Sequence, residues 1–245
     1  MDRNLRLIIE YEGTRYHGWQ RQGELPTVQK VIEEVIFTIT REASRLESSG
    51  RTDAGVHALG QVANFTTGAR LPLHNLLRGM NSLLPDDIKI KDIAEAPADF
   101  HARFCAKSKT YLYKIDNGPV PSVFHRKYSW HIHERLNLDK MKEAADFLNG
   151  EHDFMSFCAA GHETKTYVRR IMTEEFSEKG NLIIFRVEAT GFLKYMVRNL
   201  VGTLAYVGLE KITPACFKEI MDARDRTVAG PTAPPQGLFL ESVKY

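Results

Sequence analysis

Cysteine, long apolar segments and cofactor motifs are scarce in this sequence, and each scarcity excludes a class of protein. The 245 residues include only three widely spaced cysteines, Cys105, Cys158 and Cys216. We therefore expect no disulfide framework, and we expect the protein to work in a reducing cytoplasm. No apolar run approaches the roughly 20 residues of a membrane-spanning helix, so we expect no membrane association. The first residues enter a strand pattern directly, so we also expect no signal peptide.

Motifs that bind metals or nucleotide cofactors are missing too. The sequence contains no Cys-x-x-Cys, no His-Glu-x-x-His, no Gly-x-Gly-x-x-Gly and no Walker loop. His131 and His133 would share one face of a strand, but solvated strand histidines are far commoner than a ligand pair of this kind. We therefore expect chemistry that needs neither a metal nor a cofactor.

The charge is nearly balanced, at +2, and does not by itself indicate a partner. Basic residues do fall at or near predicted turns and strand ends. That placement suits a surface facing phosphates, and it suits an ordinary solvated surface even better. The residues concerned are Arg15, Arg21, Arg45, Arg51, Arg70, Arg126, Lys127, Arg169 and Arg170.

Hydrophobic periodicity predicts two successive β-α-β-β-α-β units, and hence an α+β fold with two ferredoxin-like halves. The halves are residues 1–100 and 101–245. Strands are predicted at 4–11, 45–49, 62–67 and 88–93, then at 101–116, 128–133, 166–176, 182–190 and 238–244. Helices are predicted at 28–39 (with Thr27 as N-cap), 73–84, 138–148, 193–208 and 214–224.

The loop Gly50-Arg51-Thr52-Asp53-Ala54-Gly55 stands out because it joins two predicted strands and carries polar groups between glycines. Catalytic side chains are commonly displayed on such loops, and a lone Asp there can act as a nucleophile or a base. The same pattern also suits an Asp that merely caps a turn. His57, just beyond, is better explained as a hydrogen-bonded structural histidine than as an acid-base group.

Two hydrolase chemistries that use carboxylates fit the sequence poorly. Asp53-Ala54-Gly55 resembles the Asp-Thr-Gly loop of aspartic proteases, but those enzymes need two such carboxylates sharing a proton, and no second loop occurs. Glycoside hydrolysis also normally uses a carboxyl pair, and nothing in the sequence points to the second member.

The longer stretch Ser49-Gly50-Arg51-Thr52-Asp53-Ala54-Gly55-Val56-His57-Ala58 resembles the catalytic signature of the tRNA pseudouridine synthase A family. Further stretches resemble the same family in the expected order, so that the resemblance covers essentially the whole chain. They are Tyr11–Gln22, Phe100–Phe104, Lys109–Tyr113, Phe192–Asn199 and Pro234–Leu240.

The resemblance implies an enzyme that isomerises uridine to pseudouridine at positions 38, 39 and 40 of the tRNA anticodon stem-loop. It implies no metal and no cofactor, a homodimer with tRNA lying across both subunits, and a fold of two ferredoxin-like halves around a central antiparallel sheet. The first half would carry the Asp53 loop, and the second would complete the active-site cleft.

It also implies roles for single residues. Asp53 matches the essential carboxylate, which either attacks C1′ of the sugar or removes the proton at C2′. Arg198 matches the residue that forms an ion pair with that carboxylate and so opposes the effect of burial. Tyr111 matches a tyrosine that stacks on the uracil, and Leu238 matches an apolar wall of the base pocket. Arg51 is placed to fill the space left by an extruded base and to hold phosphate.

Two other classes of function remain alternatives. One is a non-catalytic RNA-binding protein on a ferredoxin-like scaffold, although the aromatic RNP1 pattern of RRM domains is absent. The other is a hydrolase that uses Asp53.

Overall fold

The computed structural model describes residues 2–161 and 164–245. The chain forms two compact units. Unit 1 consists of Met1–Lys107 together with Phe239–Tyr245, and unit 2 consists of Ser108–Leu238. Unit 2 is therefore inserted in the chain between two segments of unit 1.

Unit 1 has the β-α-β-β-α-β order that periodicity predicts. Its strands lie in the sheet order β4-β1-β3-β2, which is the ferredoxin-like order, and each of these pairs is antiparallel. The elements are β1 (Arg3–Tyr11), α1 (Val28–Thr40), β2 (Glu47–Ser48), β3 (His57–Thr67), α2 (Leu73–Leu83) and β4 (Ile88–Ala96).

The core of unit 1 follows from the alternation in β1 and the helical spacing in α1 and α2. Leu5, Leu7 and Ile9 are fully buried because successive side chains of a strand point to opposite faces. The helices bury Ile32, Ile36, Leu76 and Met80. The predicted N-cap is confirmed, since the Thr27 hydroxyl accepts a hydrogen bond from the Lys30 amide at the start of α1.

Unit 2 has a sheet in the order β5-β9-β8-β7, antiparallel throughout, with β6 pairing parallel to β5. Helix α4 is buried along almost its whole length. The elements are β5 (Ser108–Asp116), β6 (Trp130–His131), α3 (Leu138–Asp146), β7 (Gly150–Asp153), β8 (Val168–Lys179), β9 (Leu182–Ala189), α4 (Met196–Gly208) and α5 (Pro214–Ala223).

The chain then forms the last strand, β10 (Leu238–Lys244). Its residues from Phe239 onward belong to unit 1, where Phe239 pairs with His57 and Leu240 with Ala58 of β3. This pairing is parallel, whereas the other pairs of unit 1 are antiparallel. The α+β fold class is confirmed, with mostly antiparallel sheets and helices in both units.

Several predicted boundaries are wrong. The strand predicted to start at residue 62 starts at His57, because Gly60, a residue type typical of loops, lies within β3. The segment 101–107, predicted as strand, is a series of turns in which Ala102 donates to the side chain of Asn64. The helix predicted from 193 starts at Met196, because Tyr195 adopts a left-handed backbone conformation with φ 63°. Strand β7 was not predicted.

No helix in the described ranges combines the length and the apolar character needed to cross a bilayer.

Candidate active site

The Asp53 loop runs from Ser49 to Val56 and joins β2 to β3 of unit 1. Within it the side chain of Asp53 is half-buried, Arg51 is exposed and Thr52 is buried. The Asp53 carboxylate thus lies on a short loop, and the residue that follows this loop, His57, is the first residue of β3. A side chain held in this way is pre-positioned at little entropic cost.

The backbone of the Asp53 loop is fastened to the segment that follows β1. The Trp19 amide donates to the Thr52 carbonyl at 3.1 Å, and the Gly55 amide donates to the Tyr16 carbonyl at 3.3 Å. Inside the loop the Val56 amide donates to the Asp53 carbonyl at 3.1 Å. The peptide units on both sides of Asp53 are therefore fixed by hydrogen bonds.

Two glycines allow this close approach of the two segments. A Cβ atom on Gly13 would overlap the carbonyl oxygen of Val56. Gly18 has φ +85°, and a Cβ there would lie 2.5 Å from the Thr52 carbonyl oxygen. Both positions accept only glycine in this conformation, because any side chain would push the two backbones apart.

A buried polar cluster stabilises the Asp53 loop through hydrogen bonds. It consists of Tyr11, Ser49, Thr52 and Gln61. The Tyr11 hydroxyl and Thr52 Oγ1 are 2.7 Å apart, and Tyr11 also bonds the Gln61 side chain. Gln61 accepts from the Ser49 hydroxyl at 2.7 Å and donates to the Gly50 carbonyl at 2.9 Å. Burial raises the pKa of Tyr11, with the two hydrogen bonds opposing that rise, so the phenol stays neutral.

His57 has a structural environment. Its Nδ1 atom accepts a hydrogen bond from the Gly13 amide at 3.0 Å, and its ring stacks on Phe239 with centroids 4.7 Å apart. The ring is buried. His57 is hydrogen-bonded as expected, and an Nδ1 atom that accepts a backbone proton cannot carry one of its own. Its structural role stays a prediction.

In unit 2, Tyr111 lies on β5 with its ring buried. Phe192 meets it edge to face, with ring centroids 5.0 Å apart and planes at 82°. This contact fixes the plane of the tyrosine ring.

Arg198 lies in the first turn of α4, half-buried. Its Nε donates to the Ala233 carbonyl at 2.8 Å, and its own carbonyl accepts from the Ala233 amide at 3.1 Å. The guanidinium group also lies over the Tyr195 ring, 4.8 Å from the centroid. Its position is therefore fixed by the loop after α5 and by the residue that precedes α4.

Tyr113 and Leu238 also belong to unit 2, with Tyr113 on β5 and Leu238 at the start of β10. The buried Tyr113 hydroxyl donates to the Pro234 carbonyl at 2.7 Å. Burial raises the pKa of Tyr113, and the positive charge of Arg198 opposes that rise. Leu238, which follows the Pro235–Gly237 turn, is buried at the start of β10.

The predicted site residues thus fall into two groups. Asp53 and Arg51 share one loop of unit 1, whereas Tyr111, Arg198 and Leu238 belong to unit 2. Sequence reasoning gave no role to Tyr11 or Gln61, although Tyr11 opens one of the stretches that carry the family resemblance. A glutamine within a strand has no pattern that distinguishes it from a solvated residue.

Metal binding finds no support among the described side chains. No group of three or more His, Cys, Asp or Glu residues within residues 2–161 and 164–245 is arranged to hold an ion. His131 Nε2 instead bonds the Gly118 carbonyl at 2.9 Å, and His133 Nδ1 bonds the Pro119 carbonyl at 3.0 Å.

Comparison with known proteins matches the chain to a single family of tRNA-modifying enzymes. The family described as "tRNA pseudouridine synthase" matches residues 7–105 and 144–245. A tRNA pseudouridine synthase A from Moorella thermoacetica is 46% identical over 243 residues, covering 98% of this chain and 99% of the relative. Proteins of the same name from Geotalea uraniireducens and Thermoanaerobacter sp. are 47% and 44% identical, each covering 99% of this chain and 100% of the relative.

Proposed function

The chain belongs to the tRNA pseudouridine synthase family, and from that premise we propose that it acts at positions 38, 39 and 40 of the tRNA anticodon stem-loop. It is an isomerase that converts uridine to pseudouridine in tRNA. The N1–C1′ bond of uridine breaks, a C5–C1′ bond forms, and the C5 proton leaves to solvent while N1 gains one. No electrons are exchanged with any other molecule, so the reaction needs no redox cofactor.

Asp53 is the catalytic residue in this proposal. Its carboxylate acts on the sugar by one of two routes, an ester to C1′ or removal of the C2′ proton to give a glycal. Deuterium at C2′ of the target uridine distinguishes them, since only the glycal route breaks that C–H bond. A primary isotope effect on a single turnover supports the glycal, and its absence under conditions in which the chemical step limits the rate supports the ester.

The remaining site residues serve binding and charge. Arg198 supplies the positive charge that keeps the catalytic carboxylate ionised. Tyr111 stacks on the uracil and relays the C5 proton, and Leu238 forms an apolar wall of the base pocket. Arg51 fills the space that the extruded uridine leaves, which offsets part of the cost of unstacking.

The proposal extends to partners and location. The substrate is tRNA, two copies of the chain form a homodimer, and the enzyme works in the cytoplasm without metal or cofactor. Contacts to phosphates from basic side chains give affinity without selecting a sequence, which suits action at three neighbouring positions.

One observation carries the proposal. The half-buried carboxylate of Asp53 lies on a loop whose peptide units are fixed on both sides by hydrogen bonds to Tyr16 and Trp19. Such pre-positioning is of use to a residue that must meet a reacting atom and is unnecessary for a surface turn.

The test uses tRNA transcripts that carry tritium at C5 of uridine. Wild-type protein should release tritium, and Asp53→Asn should release none while binding the same tRNA. Asp92→Asn, which removes a carboxylate charge on β4 of the same unit, serves as the matched control and should keep full activity. Free uracil in place of pseudouridine would assign the hydrolase alternative, and binding without any tritium release would assign the non-catalytic one.

A further inference from the structure

A loop of unit 2 exposes three large apolar side chains within five residues. Val120 is 74% exposed, Val123 is 63% exposed and Phe124 is 84% exposed. They lie in the segment 117–129 between β5 and β6, which we name the Phe124 loop. Single exposed apolar side chains are ordinary, whereas several exposed together on one short loop indicate an interaction surface.

The Phe124 loop is held at its base by side chains of β5 and of its own first residue. The Asp116 carboxylate accepts from the Gly118 amide at 3.3 Å and from the Ser122 amide at 2.9 Å. The Asn117 side-chain amide donates to the carbonyls of Ile132 and Glu134, both at 2.8 Å. These bonds tie the entry of the loop to the segment that leaves it.

The tip of the loop is also ordered by internal bonds. The His125 amide donates to the Ser122 carbonyl at 3.2 Å, and the Tyr128 amide donates to the His125 carbonyl at 2.7 Å. The Ser129 hydroxyl donates to that same His125 carbonyl at 3.0 Å. Phe124 therefore lies on a preformed turn. Binding of a ligand to Phe124 loses little free energy to ordering of the loop, because the loop is already ordered.

The charge of the Phe124 loop has one sign. Residues 117–133 contain no Asp or Glu, and the exposed basic residues Arg126 and Lys127 follow Phe124 with only His125 between. Arg126 donates to the Val123 carbonyl at 2.9 Å, which keeps its guanidinium group beside the apolar side chains. An aromatic ring flanked by fixed positive charge is the combination that binds an unpaired base and its phosphates.

We propose that the Phe124 loop is a second binding site for the tRNA substrate, apart from the Asp53 loop along the chain. The Phe124 ring stacks on an unpaired base, and Arg126 and Lys127 contact the adjoining phosphates. This inference rests on the proposed function, which supplies tRNA as the partner. A second copy of the chain suits the loop less well, because a two-fold contact centred on it would bring two sets of positive charge together.

The experiment measures the Kd for unmodified tRNA transcript with wild-type protein and with four variants, each first shown to be folded. Phe124→Ala should weaken binding roughly 5- to 150-fold, the range set by base–aromatic stacking. Phe124→Leu, which keeps apolar volume but has no ring, should behave like the alanine variant, and Phe124→Trp should bind like wild type. Phe37→Ala replaces an exposed phenylalanine of α1 and is the matched control, with no change expected.

A salt titration adds an independent measurement of the charged part. The double variant Arg126→Gln with Lys127→Gln should lower the slope of log Kd against log salt concentration by about 1 to 2, as expected when one or two phosphate contacts are lost. Sedimentation of each variant reports the oligomeric state at the same concentrations.

The outcomes separate cleanly. Unchanged tRNA affinity of Phe124→Ala overturns the inference, and tritium release by wild type still decides the proposed function on its own. If Phe124→Ala dissociates an oligomer while Phe124→Leu preserves it, the Phe124 loop is a protein interface and the RNA assignment is wrong. Loss of stacking-dependent affinity with intact oligomers supports the inference.

Discussion

The Tyr11 hydroxyl lies 2.7 Å from Oγ1 of Thr52, the residue immediately before Asp53. Tyr11 is the last residue of β1, a strand whose apolar side chains form the core of unit 1. The bond therefore ties the Asp53 loop to a strand whose alternate side chains are buried in the core of its unit. Because both groups are buried, any shift of the loop would leave a polar atom without a partner.

Replacing Tyr11 by Phe tests this tie. The ring and its packing against Trp19 are retained, and only the hydroxyl is lost. We expect a modest loss of stability, about 1 kcal/mol. We expect kcat to fall by roughly ten-fold with little change in KM, because small displacements of a catalytic group are costly. An unchanged kcat at a lowered Tm would mean that Tyr11 supports the fold alone.

Gln61→Leu removes the polar centre of the same cluster at similar volume. The Ser49 hydroxyl and the Gly50 carbonyl lose the hydrogen bonds that Gln61 makes to them. We expect a loss of about 2–4 kcal/mol in the free energy of unfolding, since each unsatisfied buried group costs about 1–3 kcal/mol. Urea denaturation measures the loss, and the exposed Gln22→Leu should leave the midpoint unchanged.

Gly13→Ala should move the Asp53 loop. The added methyl group overlaps the Val56 carbonyl oxygen, so one of the two backbones must shift. We expect a lower Tm and loss of most tritium release. Gly79→Ala in α2 is the matched control, because its Cβ would meet Ile39 Cδ1 at an ordinary 3.4 Å. In that variant the free energy of unfolding should rise by about 0.5–1 kcal/mol, because alanine favours the helix more than glycine does, and activity should be unchanged.

Arg198→Ala should reduce turnover far more than tRNA affinity. The expected reason is loss of the positive charge that favours an ionised catalytic carboxylate. Steady-state kcat and a separate Kd for tRNA measure the two effects. The exposed Arg135→Ala removes an equal charge from unit 2 and should leave kcat unchanged. Equal losses of turnover and affinity would contradict the proposed role.

The cysteines should react with maleimide in order of exposure. Cys105 is exposed, whereas Cys158 is buried, and that burial raises the pKa of its thiol. A raised pKa leaves less thiolate at any given pH, so Cys158 should label more slowly than Cys105 and need a higher pH to react. Mass spectrometry of time points at pH 7 and pH 9 follows the order. Labelling in urea, where burial is lost, should make the rates similar.

The sequence predicts those parts of the fold that depend on local periodicity. Helix α1 is a clear case, because Thr27 caps it and its buried residues recur at helical spacing. Strand β1 alternates for the same reason. The start of β3 does not follow from the sequence, because Gly60 is typical of a loop and yet lies within the strand, where its missing side chain lets the backbone of Glu241 approach.

The same limit applies to the site. Glycines and polar residues between two strands are visible in the sequence, and they mark the Asp53 loop. Its support by Tyr11 and Gln61 depends on hydrogen bonds between residues 41 and 11 positions apart, which no local pattern encodes.

The return of β10 to unit 1 has a consequence for synthesis on the ribosome. Phe239 stacks on His57, and the strand that leads out of the Asp53 loop gains its parallel neighbour only from residues 239 and 240. All of residues 108–238 must be translated before that neighbour exists. Nascent chains that stop short of it should carry an unfinished sheet edge beside the Asp53 loop, so the candidate active site is among the last parts of the molecule to mature.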